Sequence, residues 1–194
     1  FEIERADRAL LATHYWSEKP VPSVAVRDVP AAGLISSVPD LARFMHMMLT
    51  NGKLGGKQML KPHSVSEMLR MQNAGVALDL DTRVGLGWRL SGVRFPRARA
   101  VAWLSNESPF GRGRLLLVPE HKLGVIVLTN SSGSTEAVEK IGERLMELVL
   151  QNRRPVTAAE SQQAVTATSA PPKRDDIVGH YATAVEAEAA IVAG

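Results

Sequence analysis

Two apolar runs face each other across a four-residue link in "LLLVPEHKLGVIVL", and no feature constrains the fold of this chain more. Leu115–Val118 and Leu123–Leu128 have strand length, and Pro119 interrupts any helix between them. A link of four residues is too short for a crossover, so the two runs must lie side by side and antiparallel. The second run is almost pure core: Leu123, Val125, Ile126, Val127 and Leu128 leave only Gly124 without a large side chain. A strand with that composition belongs in a packed sheet rather than on a solvated one.

Amphipathic helices to flank such a sheet are present. Around "SSVPDLARFMHMMLTNG", Ser37 is a helix cap, Pro39 sits in the first turn and Asp40 lies at the positive end of the dipole. Leu41, Phe44, Met45, Met48 and Leu49 then recur at helical spacing, with His46 off the stripe and Gly52 closing the helix. A second helix is expected at Ser64–Gln72, with Ser64 and Glu67 as a capping box and Val65, Met68 and Leu69 inward. The last helix is expected at Ser134–Gln151, its stripe formed by Val138, Ile141, Leu145, Leu148 and Val149. Further strands are expected near 84–90 ("VGLGWRL", with glycines where another backbone or ligand comes close), near 93–105 and near 111–118. The fold class that follows is α+β, of the α/β sandwich type: an antiparallel sheet flanked by helices.

At the opening of the chain a helical pattern (Ile3, Ala6, Leu10, Leu11) gives way to an extended stretch punctuated by Pro20, Pro22 and Pro30. After Gln151, "RRPVTAAESQQAVTATSAPPKRDD" holds no aromatic residue and is rich in Ala, Ser, Thr and Pro, so 152–175 is expected to be a flexible linker. "IVGHYATAV" then begins a further β segment over 176–194, too short to be a domain of its own. Residues 1–151 form the main unit. The chain opens at Phe1 without Met, as a processed protein or a piece of a longer one would.

A net charge of +3 with scattered Lys and Arg gives no basis for nucleic-acid binding. The one local excess is five arginines between Arg94 and Arg114, expected on a solvated strand face. There is no Cys, and the five His show no metal-ligand spacing, so neither disulfide, metal nor cofactor is expected. No apolar run approaches the ~20 residues that span a bilayer, and no signal peptide opens the chain. The compartment stays undecided between cytoplasm and export.

The candidate site is "WLSNESPFG", a polar segment ending the strand ahead of the hairpin. Three stretches carry a resemblance that spans about residues 8–150: "RDVPAAGLISSVPDLARFMHMMLTNGKLGGKQMLKPHSVSEML", "GLGW" and "LLLVPEHKLGVIVLTNSS". In order and spacing they resemble the C-terminal half of a serine β-lactamase or penicillin-binding-protein-like hydrolase. The closest branch is class C-like, with its D-alanyl-D-alanine carboxypeptidases and esterases. The tail near "DIVGHYATA" is similar to the opening of a small β domain that some members append. The resemblance implies a β-lactamase/transpeptidase-like fold, incomplete here, in which a Ser-x-x-Lys serine attacks a carbonyl and a Tyr-x-Asn motif assists. A Lys-Thr-Gly or His-x-Gly strand lines the opposite wall.

No Ser is followed three residues later by Lys, and the tyrosines read "YWS" and "YAT", so both motifs are absent. The wall motif falls on "WLSN", with Leu104 where the family carries His or Lys and Asn106 where it carries Gly. The catalytic assignment is therefore none, and Trp103, Leu104, Ser105, Asn106 and Ser108 are expected to line a substrate groove. A triad of Ser105 or Ser108 with His121 can be drawn, but no Gly-x-Ser-x-Gly elbow supports it. Three functions stay open. The chain is part of a serine hydrolase acting on amides, lactams or esters, inactive alone and needing its missing N-terminal half or another chain. It is a noncatalytic homologue whose groove binds peptide or glycan. Or it is a structural and interaction domain.

Overall fold

The computed structural model describes residues 10–16, 18–22, 33–108 and 111–152, together with the backbone of two short strands at 179–182 and 188–191. The helical pattern at Ile3 and Ala6, most of the Pro-punctuated stretch and the linker after Asn152 lie outside the described residues.

At the centre is a three-stranded antiparallel sheet in the order β5–β6–β7, with β5 at Ala102–Ser108, β6 at Gly111–Val118 and β7 at Leu123–Thr129. The hairpin anticipated from the apolar runs pairs Val118 with Leu123 and Leu115 with Ile126. Pro119–His121 forms a single 3-10 turn, and Lys122 takes a left-handed φ of 51° to bring the chain round.

Helices cover the sheet on both faces. Helix α1 (Val38–Leu49) has Ser37 as its N-cap, the hydroxyl accepting from the Asp40 amide at 3.3 Å. Its buried residues, Met45 and Met48, are those of the expected stripe, and His46 is exposed. Gly52 ends the turn at φ 86°, where a Cβ would stand 2.1 Å from the Leu60 carbonyl oxygen. With Val65 and Leu69, from and just after α2 (Pro62–Met68), and with Trp88, α1 packs on Ala102 and Leu117. On the opposite face, α3 (Thr135–Gln151) lays Met146 and Leu150 on Leu116 and Val118, with Phe95 and Val101 closing the lower end. Outside the sheet lie three hairpins: β1–β2 (His14–Trp16, Lys19–Val21), β3–β4 (Lys53–Leu54, Lys57–Gln58) and β8–β9 (Gly179–Ala182, Glu188–Ile191). Strand β8 falls within the anticipated "IVGHYATAV" segment.

Five expectations need correction. Helix α2 starts at Pro62 with Lys61 as cap, because proline is favoured at the first helical position. Ser64 is then already inside the helix, the capping box does not form, and Glu67 turns to Arg70 at 2.7 Å. "VGLGWRL" is no strand but a turn with single bridges from Val84 to Arg89 and from Arg89 to Trp103. Its Gly85 is needed where a Cβ would lie 2.1 Å from the Met68 carbonyl oxygen. Strand β5 begins at Ala102 rather than near 93, because Phe95 and Val101 are drawn into the core beneath α3 as an irregular strap.

The stripe of α3 is also rotated from expectation. Val138, Gly142, Met146 and Leu150 are buried, while Ile141 and Leu145 are 49% and 43% exposed and Leu148 and Val149 are exposed as well. The apolar arc of the helix is wider than the sheet beneath it. Finally, the arginines do not share a solvated strand. Arg94, Arg97 and Arg99 sit on the strap before β5, Arg112 is half-buried, and Arg114 is only 2% exposed.

Candidate functional site

The site is built on β5, which forms one edge of the sheet, and alternation along the strand sends its side chains to opposite faces. Trp103 and Ser105 lie on the α3 face, opposite Leu116 and Arg114, whereas Leu104 and Asn106 lie on the α1 face, opposite Leu115 and Gly113.

Trp103 is held from several sides. Its indole Nε1 donates to the Ser91 carbonyl at 2.6 Å, and the guanidinium carbons of Arg114 and Arg89 stand 4.0 and 5.4 Å from the ring centroid. Its outward backbone groups are already used: Arg89 N–H donates to Trp103 C=O and Trp103 N–H to Arg89 C=O, both at 2.9 Å. Ladder groups alternate between the two sides of a strand, so the next outward-facing backbone pair on β5 belongs to Ser105. Among the described residues, the part of this edge left for an extended ligand therefore begins at Ser105 and excludes Trp103.

Leu104 packs against the cluster that contains Met45, Trp88 and Leu117. An apolar neighbourhood of that kind suits Leu and would penalise a charged Lys. Asn106 is exposed beside Gly113, whose missing side chain leaves room for Leu128 Cδ2, 3.1 Å from where a Cβ would be. Ser108 belongs to the hairpin closure, its hydroxyl donating to Gly111 C=O at 3.2 Å and accepting from Gly111 N–H at 3.1 Å. Trp103, Leu104, Ser105, Asn106 and Ser108 thus lie on one strand but not on one surface.

The drawn triad does not assemble. His121 Nε2 lies 2.8 Å from the Arg97 carbonyl, beyond the Val118 end of β6, whereas Ser108 stands at the Gly111 end. The length of β6 between them is roughly 23 Å at ~3.3 Å per residue.

Between β5, β6 and the first turns of α3 is a shallow recess with room for little more than one water, lined by Ser105, Glu107, Arg112, Arg114, Thr135 and Glu139 among others. Arg112 is fixed there, Nε donating to Thr135 Oγ1 at 2.7 Å and Nη1 to the Ser108 and Gly111 carbonyls. Buried Arg114 faces Glu143 at 3.4 Å and Glu139 at 3.7 Å. Its Nε and Nη1 have no hydrogen-bond acceptor among the described residues. Arg112, Arg114, Glu139 and Glu143 were not among the expected site residues, the two arginines having been expected on a solvated strand face. The available signal was Arg-x-Arg inside an apolar strand, which puts both cations on one face, together with Glu139 and Glu143 at i, i+4 on a helix able to reach them.

Among the described residues no group of His, Asp and Glu could hold a metal ion, and no helix is long and apolar enough to cross a membrane. The arrangement offers an exposed strand edge, a rigid aromatic base and paired charges. Among the described residues, the Ser108 hydroxyl is engaged with Gly111, and His121 is held at the other end of β6.

The family model described as "Beta-lactamase" matches residues 1–150. The chain belongs to the beta-lactamase family. Helices α1–α3 and the antiparallel strands are consistent with the α+β fold of that family. Family membership makes this a chain of serine-hydrolase descent. No curated protein matches it.

Proposed function

We propose that the chain is the carboxy-terminal portion of a serine hydrolase in the class C-like branch, the branch of D-alanyl-D-alanine carboxypeptidases and esterases. It contributes the substrate-facing wall for acyl transfer on an amide, lactam or ester and is inert by itself. The observation that carries this reading is β5: beyond Trp103 its outer edge pairs with no other described strand, and "WLSN" lies there in the position of the family motif it resembles. An extended acyl substrate would pair with the outward N–H and C=O of Ser105, a recognition that needs no side-chain chemistry.

A serine hydroxyl becomes a competent nucleophile when a neighbour takes its proton, and general-base help is worth ~10²–10⁴ in rate. With no Ser-x-x-Lys and no Tyr-x-Asn in the sequence, both nucleophile and base must be supplied opposite β5 by polypeptide outside these 194 residues. The packing of Leu104 into the core favours a second reading, a homologue whose groove binds peptide or glycan without turnover.

The test is expression of the protein extended upstream of Phe1, assayed with a chromogenic ester and a chromogenic cephalosporin. The proposal expects turnover of at least one of them, lost when the serine of an upstream Ser-x-x-Lys is changed to Ala. An upstream sequence with no such motif, or an extended protein that binds ligand without turnover, would transfer the case to the second reading.

A further inference from the structure

Helix α1 runs out into Asn51–Gly52, and no other asparagine in the chain precedes a glycine. Asn51 takes the left-handed φ of 53° that follows a helix, a place where glycine is usual and asparagine the common substitute. It is exposed, and its side chain makes no hydrogen bond among the described residues. The side-chain amides of Asn73, Asn130 and Asn152, by contrast, are each tied to a neighbour. Gly52 has no Cβ to keep the Asn51 side-chain carbon away from its backbone nitrogen. What restrains that nitrogen is its own hydrogen: Gly52 N–H donates to Met47 C=O at 2.8 Å and closes the last turn of α1.

We propose that Asn51 is a site of spontaneous modification, converting to aspartate and isoaspartate at a rate set by opening of the α1 cap. The Gly52 nitrogen gives its proton to solvent and attacks Asn51 Cγ. The N–Cγ bond forms, the Cγ–Nδ2 bond breaks, and Nδ2 leaves as ammonia with a proton taken from water. Water then adds to one carbonyl of the cyclic imide. Cleavage of the new N–Cγ bond gives aspartate, and cleavage at the former main-chain carbonyl gives isoaspartate; one water is consumed and nothing is oxidised or reduced. While the turn is closed, Met47 C=O holds the hydrogen that the nitrogen must lose, so reaction proceeds through the opened turn. The isoaspartate product cannot restore that turn, because its main chain is longer by one carbon. Gly52 N–H to Met47, Met59 and Leu60 N–H to Gly52 C=O at 2.8 and 3.1 Å, and Gln58 Nε2 to Asn51 C=O at 2.8 Å can no longer be made together. The new carboxylate also stands at the negative end of the α1 dipole. Hairpin β3–β4 thereby loses its attachment to α1, the helix whose Met45 and Met48 pack on the sheet. The inference is independent of the proposed hydrolase chemistry.

Incubation of the full 194-residue chain at neutral pH, followed by peptide mapping with mass spectrometry and enzymatic methylation of isoaspartate, tests it. Asn51 should convert ahead of every other asparagine, and roughly tenfold or more slowly in the folded chain than in urea. Thr50→Val removes hydroxyl bonds to the His46 and Lys53 carbonyls, both 2.7 Å, that brace the turn. It should speed conversion roughly two- to tenfold, the change in open population for one net hydrogen bond. Exchange of the Gly52 amide should speed by the same factor. Asn51→Gly, which suits the left-handed φ, should abolish conversion at this position with the helical circular dichroism unchanged. A folded chain in which Asn51 stays intact while other asparagines convert would overturn the inference. So would conversion as fast in the folded chain as in urea, or a Thr50→Val rate that does not follow Gly52 exchange.

Discussion

Substituting Glu139 and Glu143 together by Gln should damage this protein, and removing Arg114 as well should repair most of the damage. Arg114 is a buried charge, 2% exposed, with carboxylates at 3.4 and 3.7 Å. At an effective dielectric of ~20 each contact reaches at most about 5 kcal/mol, and water screens carboxylates that are nearly half exposed. The larger effect is what remains once they are gone: a guanidinium under α3 with Nε and Nη1 unbonded and no counter-charge. Stranding a buried charge costs ~3–5 kcal/mol, and the lower end, about 3, applies because the acids are partly solvated. In a chain of this size that is a fall of about 6–12 °C in Tm.

Adding Arg114→Met replaces the cation by an apolar side chain of similar length. It forfeits the stack on Trp103, about 1 kcal/mol, and the triple variant should lie within about 1–2 kcal/mol of the native protein. Urea unfolding followed by tryptophan fluorescence measures all members of the cycle. If the triple variant is as unstable as the double, the acids stabilise something other than Arg114 and the argument fails.

Gly142→Ala should stabilise α3 by ~0.5–1 kcal/mol, the usual gain for a mid-helix glycine, because its Cβ would meet Arg114 Cγ, Leu116 Cδ1 and Val127 Cγ2 at an ordinary 3.4–3.7 Å; a lower Tm would contradict this. Gly52→Ala should lose more than ~2 kcal/mol, through its φ of 86° and a Cβ 2.1 Å from the Leu60 oxygen; an unchanged urea midpoint would refute it. The Glu67 carboxyl is held below its ordinary value first by its hydrogen bonds from Arg70 and further by that residue's charge. A carboxyl with a depressed folded pKa contributes stability above its unfolded pKa and loses it as pH falls through the folded one. Glu67→Gln should therefore lower the Tm slightly at neutral pH, with the difference from native vanishing in acid below the ordinary Glu range. A difference that persists there would show that the contact is not ionic.

Features legible in the sequence were those whose cause is local. The β6–β7 hairpin follows from Pro119 between two apolar runs, and the start of α1 follows from Ser37, Pro39 and Asp40, whose hydroxyl, ring and carboxylate act within one turn. What sequence reading missed depends on distant partners. Ile141 and Leu145 are as apolar as Met146, and only the width of a three-stranded sheet decides which half of the arc is covered. Arg114 reads as a surface residue until Glu139, Glu143 and Trp103 are brought around it from two other elements. "GLGW" resembles a strand by composition, yet Gly85 is required by the Met68 carbonyl, a contact made across the fold. At the candidate segment, sequence reading could not show that Arg89 closes the edge at Trp103, because that pairing is made across the fold.

The central claim is that these 194 residues carry a wall of a serine-hydrolase site without the nucleophile that would use it. Incubation of the purified chain with a fluorescent penicillin, followed by intact-mass spectrometry, tests it most directly. The expected result is the unmodified 21.0 kDa chain, both for the native sequence and for Leu104→His with Asn106→Gly, because restoring the wall supplies no activated serine. A covalent adduct on any serine, Ser105 or Ser108 above all, would contradict the claim.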